Sequence, residues 1–201
     1  MSKPFSQACA NNQQPILDVL RRYLTEPGTV LEIGSGTGQH AVFMAQHLPH
    51  IHWQPSDISA HLPGIRAWRD DAALPNVATP LCFDVTDAAA PFAASARYLF
   101  SANTLHIMSW QNVERFFRWI PDLLQPGGLA FFYGPFNYQG AFTSDSNTQF
   151  DAWLKSQAPH QGIRDFEAIT DLADAAGLTL VEDCAMPANN RTLVWRRDSR
   201  S

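Results

Sequence analysis

Only the four residues Pro187-Ala188-Asn189-Asn190 separate two apolar runs, LTLVEDCAM (178–186) and RTLVWRR (191–197). A parallel return would need about a dozen residues, so these runs can pair only as an antiparallel hairpin. Upstream the pattern is different. Apolar, β-rich runs at 29–33, 51–57, 77–83, 97–103 and 129–134 alternate with stretches of helical period at 38–48, 60–71, 111–124 and 166–176. Successive βα units imply parallel strands joined by right-handed crossovers. Together these patterns predict an α/β fold in which a mostly parallel seven-stranded sheet carries helices on both faces and ends in an antiparallel hairpin. At 201 residues and 45% hydrophobic composition, one core and one domain (1–201) are expected. Within it, 1–28 reads as a helical lid segment and 135–165 as a substrate-side loop and helix.

The first strand runs directly into Glu32-Ile33-Gly34-Ser35-Gly36-Thr37-Gly38, and a helix follows with Val42, Phe43, Ala45 and Leu48 on one side. A strand, a glycine turn and a helix N-terminus bring backbone N–H groups close to a ligand at the C-terminal edge of a sheet. Gln39 stands where the last glycine of a dinucleotide-binding GxGxxG would fall. The spacing resembles instead the first motif of class I S-adenosylmethionine (SAM) methyltransferases. SAM carries a sulfonium and an ammonium, so the acid Glu32 at the strand end suits it. Gly34 and Gly36 would let backbone lie against the cofactor with Ser35 between them, and Gly38 would let the helix pack closely. Asp57 ends the second strand about twenty residues further on, where an acid accepts ribose hydroxyls. Asp84 and Val85 follow the third strand, where an acid receives the adenine amino group in such enzymes. Gln39 and His40, in the first helical turn, are candidates to hold the methionine carboxylate or to line the acceptor cavity.

LEIGSGTGQHA, LPHIHWQPSD, LHIMSW, FFYGPF, SNTQFD, GIRD and MPANN occur in that order between Cys9 and Arg196. Together they resemble the methyltransferase-like family known as domain of unknown function 938. The resemblance implies the class I methyltransferase Rossmann-like fold and SAM as cofactor, with no assigned substrate. Two departures stand out: Gly34-Ser35-Gly36 replaces an Ala-Ser-Gly, and Asn11-Asn12 replaces an Arg-Asn ahead of Pro15-Ile16-Leu17.

Methyl transfer requires alignment of a nucleophile with the methyl group, exclusion of water, and a base only where the acceptor must lose a proton. His106, just after the fourth strand, is the first candidate for a base or orienting group, with Tyr133 beside it as a second catalytic candidate. Asn103 is a candidate contact to the methionine part of the cofactor. Asn12, Trp110, Phe136, Arg164, Asn189 and Asn190 are candidates for the acceptor side. Tyr133, Phe136, Tyr138 and Phe142, in a stretch punctuated by Gly and Pro, read either as an aromatic wall over the acceptor or as core packing.

Neither an Asp/Asn-Pro-Pro-aromatic motif nor a Pro-Cys nucleophile is present, which argues against methylation of adenine amino groups or of cytosine carbon 5. Fourteen Lys and Arg against nineteen Asp and Glu give a formal charge of −5, so no nucleic-acid partner is expected. Three widely spaced cysteines and scattered histidines form no metal set, and no metal is expected. No apolar run approaches about eighteen residues and the N-terminus lacks an export-signal layout, so a cytoplasmic protein with no membrane partner, monomeric or homodimeric, is expected. The resulting reading is a SAM-dependent methyltransferase acting on O, S or N of a small molecule. The alternatives are a catalytically silent SAM-binding module and an NAD-dependent oxidoreductase.

Overall fold

The computed structural model describes residues 3–90 and 96–199; the first two and last two residues of the expected domain lie outside that range. In chain order the elements are α1 (Gln7–Leu20), β1 (Gly28–Ile33), α2 (Gln39–His47), β2 (Ile51–Asp57), α3 (Leu62–Ala72), β3 (Leu81–Cys82), β4 (Ala96–Ala102), α4 (Trp110–Leu123), β5 (Leu124–Gly134), β6 (Phe136–Asn137), α5 (Asp145–Gln157), β7 (Arg164–Asp165), α6 (Phe166–Ala175), β8 (Leu178–Met186) and β9 (Asn190–Arg197). Among the described residues, seven strands form one sheet in the order β3-β2-β1-β4-β5-β9-β8. The first five are parallel, and β9 is antiparallel to both β5 and β8. This is the expected class I methyltransferase plan, hairpin included.

Alternation along each strand explains why both sheet faces are covered. Leu31, Leu99, Phe132, Leu193 and Trp195 point to one side, where Val113, Phe116, Phe117 and Ile120 of α4 and Ile169 of α6 complete a core. Their sequence neighbours Val30, Phe100, Phe131 and Val194 point to the other, against Ile16, Leu17 and Leu20 of α1 and Met44 of α2. A period of two with apolar residues at both phases makes a strand buried on both faces. The chain reverses its spatial direction between β1 and β4, and in such sheets ligands bind outside the carboxyl ends of the strands at this switch point.

Three local expectations need correction. The third strand, expected over 77–83, pairs only at Leu81 and Cys82, with one further bridge from Val77 to Trp53. Pro80 between them has no N–H to give to a ladder. The QPGG stretch is no clean turn before a strand at 129: β5 begins at Leu124, opposite Ala96, and the glycines form an irregularity within it. A Cβ on Gly128 would lie 2.6 Å from the Arg97 carbonyl oxygen, so this close passage requires glycine. The segment 135–165 also holds a two-stranded ladder of β6 with β7 that the sequence pattern did not suggest.

Candidate functional site

The glycine loop lies at the switch point. The N–H groups of Gly34 and Ser35 both donate to the Ser56 carbonyl at 3.0 Å, tying the loop to the end of β2. Gly36 has φ 57° and a Cβ there would meet nothing within 4 Å, so a bare stretch of backbone faces open space. Gly38 has φ 90° and a Cβ would come within 2.9 Å of the Ile65 Cα, which is the close helix packing read from the sequence.

Behind the loop, buried Glu32 accepts from Ser35 Oγ at 2.9 Å and from Trp53 Nε1 at 3.0 Å. Burial pushes its carboxyl up to about 7, against the two donors and with a small contribution from the charge of Asp57. Asp57 faces the loop directly. Its Oδ2 accepts from the Gly36 N–H at 2.7 Å, and its Oδ1 from the Ile58 N–H at 2.7 Å and from His61 Nδ1 at 2.9 Å.

A cleft of about 380 Å³ opens beside Asp57. Of the expected cofactor residues, Gly34, Asp57, Asp84 and Val85 line it. Asp84 Oδ1 also accepts from the N–H and hydroxyl of Thr86, so this carboxylate shapes its own turn as well. Asn103 caps β4 with φ 57°, its N–H donating to the Tyr133 carbonyl at 2.8 Å. The rest of the lining includes Ile58, Phe83, Thr104, Ile107, Met108, Asn112 and His160, none of them singled out from the sequence. Ile58 and Ile107 are among the few large apolar side chains left exposed, at 40% and 48%. A lone apolar residue just after a strand-end acid was the one available hint.

Gln39 and His40 do not line this cleft; they hold α1. The Gln39 amide accepts from the Ser6 N–H and donates to the Ser6 carbonyl, while Thr37 Oγ1 donates to the same amide oxygen. His40 Nε2 lies 2.7 Å from buried Asn12 Oδ1, and the Asn12 side chain also reaches Tyr133, where it opposes the upward push of burial on the phenol. Burial pushes the His40 imidazole down to about 4. Since Gln39 is almost fully buried, Gln39→Ala should cost about 1–2 kcal/mol through the lost pair of bonds. Amide exchange over residues 6–10 should accelerate accordingly; unchanged protection there would count against the clasp.

Of the candidates expected for catalysis and the acceptor, His106 is not among the residues that line the cleft; it is 5% exposed, lies edge-on to Phe150 and has no hydrogen bond to its ring nitrogens among the described residues. Burial, helped by the nearby positive charge of Arg164, pushes it down to about 4, so the ring is neutral at pH 7. Arg164 is committed elsewhere: its guanidinium donates to the carbonyls of Leu105, Met108 and His160, and it lies 5.9 Å from the Trp110 ring. Phe136 is buried in the core with α4. Tyr138 stacks on Phe166 and donates to Asp183, leaving Phe142 as the exposed member of the aromatic set. Asn189 joins the β8–β9 turn to α5 through Ser146 and Asn147, and the Asn190 amide donates to the Pro187 and Ala188 carbonyls. The structure thus joins Asn12, His40 and Tyr133 in one cluster, keeps His106 in the turn that follows β4, and shows Phe136 in core packing and Asn189 and Asn190 in turn formation.

Among the described residues no helix is long and apolar enough to cross a membrane, and no three His, Cys, Asp or Glu side chains are grouped to hold a metal. Residues 3–197 match the family model described as "Protein of unknown function (DUF938)". The fold is similar to that of an O-methyltransferase family protein from Burkholderia thailandensis, with a TM-score of 0.84 at 17% identity, covering 96% of this chain and 58% of that one. It is also similar to an O-methyltransferase family 2 protein from Planctomyces limnophilus in complex with apigenin, with a TM-score of 0.79 at 15% identity, covering 94% and 60%. A third similar structure is CalO1, a methyltransferase in calicheamicin biosynthesis with S-adenosylhomocysteine (SAH) bound, with a TM-score of 0.73 at 16% identity, covering 93% and 54%. The chain therefore spans less than two thirds of each of these proteins.

Proposed function

The chain belongs to the DUF938 family, and from that premise we propose that it is a SAM-dependent methyltransferase acting on an O, S or N atom of a small molecule. The observation that carries this reading is Asp57 at the tip of β2, beside the open backbone of Gly36 and at the mouth of the cleft. A carboxylate there is matched to vicinal ribose hydroxyls, and the bare backbone admits close approach of the methionine half. Ile58, Phe83 and Val85 offer apolar surface for a flat base. A site lined by two acids, Asp57 and Asp84, suits a cationic nucleoside better than a pyrophosphate. SAH and apigenin, present in two of the similar structures, illustrate the ligand classes that such a fold accommodates.

When bound, SAM supplies an electrophilic methyl group; the protein's own part is orientation. The imidazole of His106 is neutral at pH 7 and, among the described residues, has no hydrogen bond at its ring nitrogens, so it is available to orient an acceptor hydroxyl, thiol or amine; its lowered basicity suits orientation better than proton abstraction. Tyr133, contacted by Asn12, is the companion orienting group. Asn103, left-handed at the end of β4, is the candidate contact to the amino-acid end of the cofactor.

Two measurements test the reading. Calorimetry should register SAH uptake, and incubation of the protein with labelled SAM and fractionated metabolite extracts should transfer the label to a small molecule. Binding without transfer to any fraction would favour a silent SAM-binding module. Thermal stabilisation by NAD but not by SAH would overturn the proposal in favour of an oxidoreductase.

A further inference from the structure

The geometry points to His160 as a ligand-contacting residue of the cleft, held there by Arg164 acting as a positioning residue; this rests on the methyltransferase reading and extends it. His160 sits far along the chain from every other residue of the cleft, in the loop 158–163 between α5 and β7. That loop is fixed at several points. The Gly162 N–H donates to the His106 carbonyl at 3.0 Å, and the Ile163 N–H to buried Asp151 Oδ1 at 2.8 Å. Arg164 supplies the remaining ties: Nε donates to the Leu105 carbonyl at 3.1 Å, and one terminal nitrogen donates to both the Met108 carbonyl and, at 3.0 Å, the His160 carbonyl.

One guanidinium therefore joins the backbone that carries His160 to the backbone on either side of His106 and Ile107. A planar fork with several donors can span three carbonyls; an ammonium on a flexible stem cannot hold the same plane. The consequence is a wall contributed by the acceptor-side segment to a cleft otherwise built by the strand tips of β1 to β4. The His160 side chain is exposed rather than packed, and it shares the cleft with Asp57, Asp84, Phe83 and Ile107. Acids beside apolar surface select a nucleoside, with hydroxyls for the acids and a flat ring for the apolar side chains. An imidazole at that rim adds either a stacking face or one hydrogen bond to the same ligand. Arg164, expected from the sequence as an acceptor-side candidate, has its donors spent on the carbonyls of Leu105, Met108 and His160.

SAH is the probe. In the intact protein, its addition should shift the ring signals of His160 in the NMR spectrum, identified by their loss in His160→Ala. Calorimetry should give SAH binding about five- to tenfold weaker in His160→Ala, the worth of one ordinary contact. Arg164→Lys keeps the charge but not the fork, and should weaken binding to a similar degree. The double variant should be no weaker than the worse single one, because both act through the same contact. Wild type and His160→Ala binding SAH equally, with the His160 signals unmoved, would overturn this inference and leave the methyltransferase reading standing. A wild-type protein that takes up no SAH would overturn both. His160 is exposed, so its replacement by alanine does not put folding at stake.

Discussion

Asp57→Ala should weaken SAH binding by about 100-fold or more while leaving the protein folded. The side chain is expected to accept from two ribose hydroxyls, and each hydrogen bond to a charged group is worth about 1.5–3 kcal/mol. Its Oδ2 also accepts from the Gly36 N–H, so its removal loosens the turn that, on the proposed function, presents backbone to the cofactor. The Gly34 and Ser35 N–H groups remain bound to Ser56, and the loop therefore keeps its main attachment to β2. Asp57→Asn should fall between wild type and alanine, since an amide oxygen still accepts but carries no charge. Calorimetry with SAH, alongside a thermal unfolding curve to establish folding, measures the effect. An affinity within about threefold of wild type would remove Asp57 from the cofactor site, because even one lost charged contact exceeds that change.

Acid should destabilise the protein between about pH 6.5 and 5 in a way that can be traced to named side chains. His40 and His106 are both held down to about 4 by burial, with the charge of Arg164 adding to the effect at His106. In this window the unfolded chain takes up a proton at each imidazole and the folded one does not. The stability these two residues contribute is thus complete above about pH 6.5 and is lost as pH falls toward 4. Glu32 works the other way: held up to about 7 by burial, it carries a proton in the folded state that the unfolded chain releases above about 4.5. Its contribution is complete below the unfolded value and is lost as pH rises through 7. Two histidines against one carboxyl leave about one net proton. Each such proton changes stability by about 1.4 kcal/mol per pH unit. Urea unfolding at pH 5 and 6.5 should therefore show wild type about 2 kcal/mol weaker at the lower pH. His106→Gln should flatten that difference and Glu32→Gln should roughly double it. Identical pH slopes in all three proteins would mean that these groups titrate alike in the folded and unfolded chains.

Much of the architecture was legible because it rests on short-range rules. Alternation of strand and helix periods fixed the parallel part of the sheet, and the brevity of PANN fixed the antiparallel end. The positions of the glycine loop and of Asp57 were legible for the same reason, since a strand tip and the turn after it are local in sequence. What escaped notice depends on distant partners. Pro80 shortens β3 because the neighbouring strand would need an N–H that it lacks. Gln39 and His40 looked like cofactor contacts from their place after the loop, yet their partners, Ser6 and Asn12, lie some thirty residues upstream. His160 gave no signal because its place in the cleft depends on Arg164 reaching back to Leu105 and Met108. Phe136 illustrates the opposite case: an aromatic in a Gly/Pro-rich stretch reads either as a wall over the acceptor or as core, and only the packing around α4 decides that it is core.

The position of β9 constrains the order of assembly. It follows β8 in the chain yet lies between β5 and β8 in the sheet. Until β9 docks, β5 presents a bare rim carrying Phe131 and Phe132, and β8 has nothing to pair with. Such a rim is a template for pairing with another molecule. A nascent or proteolytically clipped form ending before Asn190 would therefore be sticky, and the polypeptide gains protection against self-association only when this late segment slides into the gap.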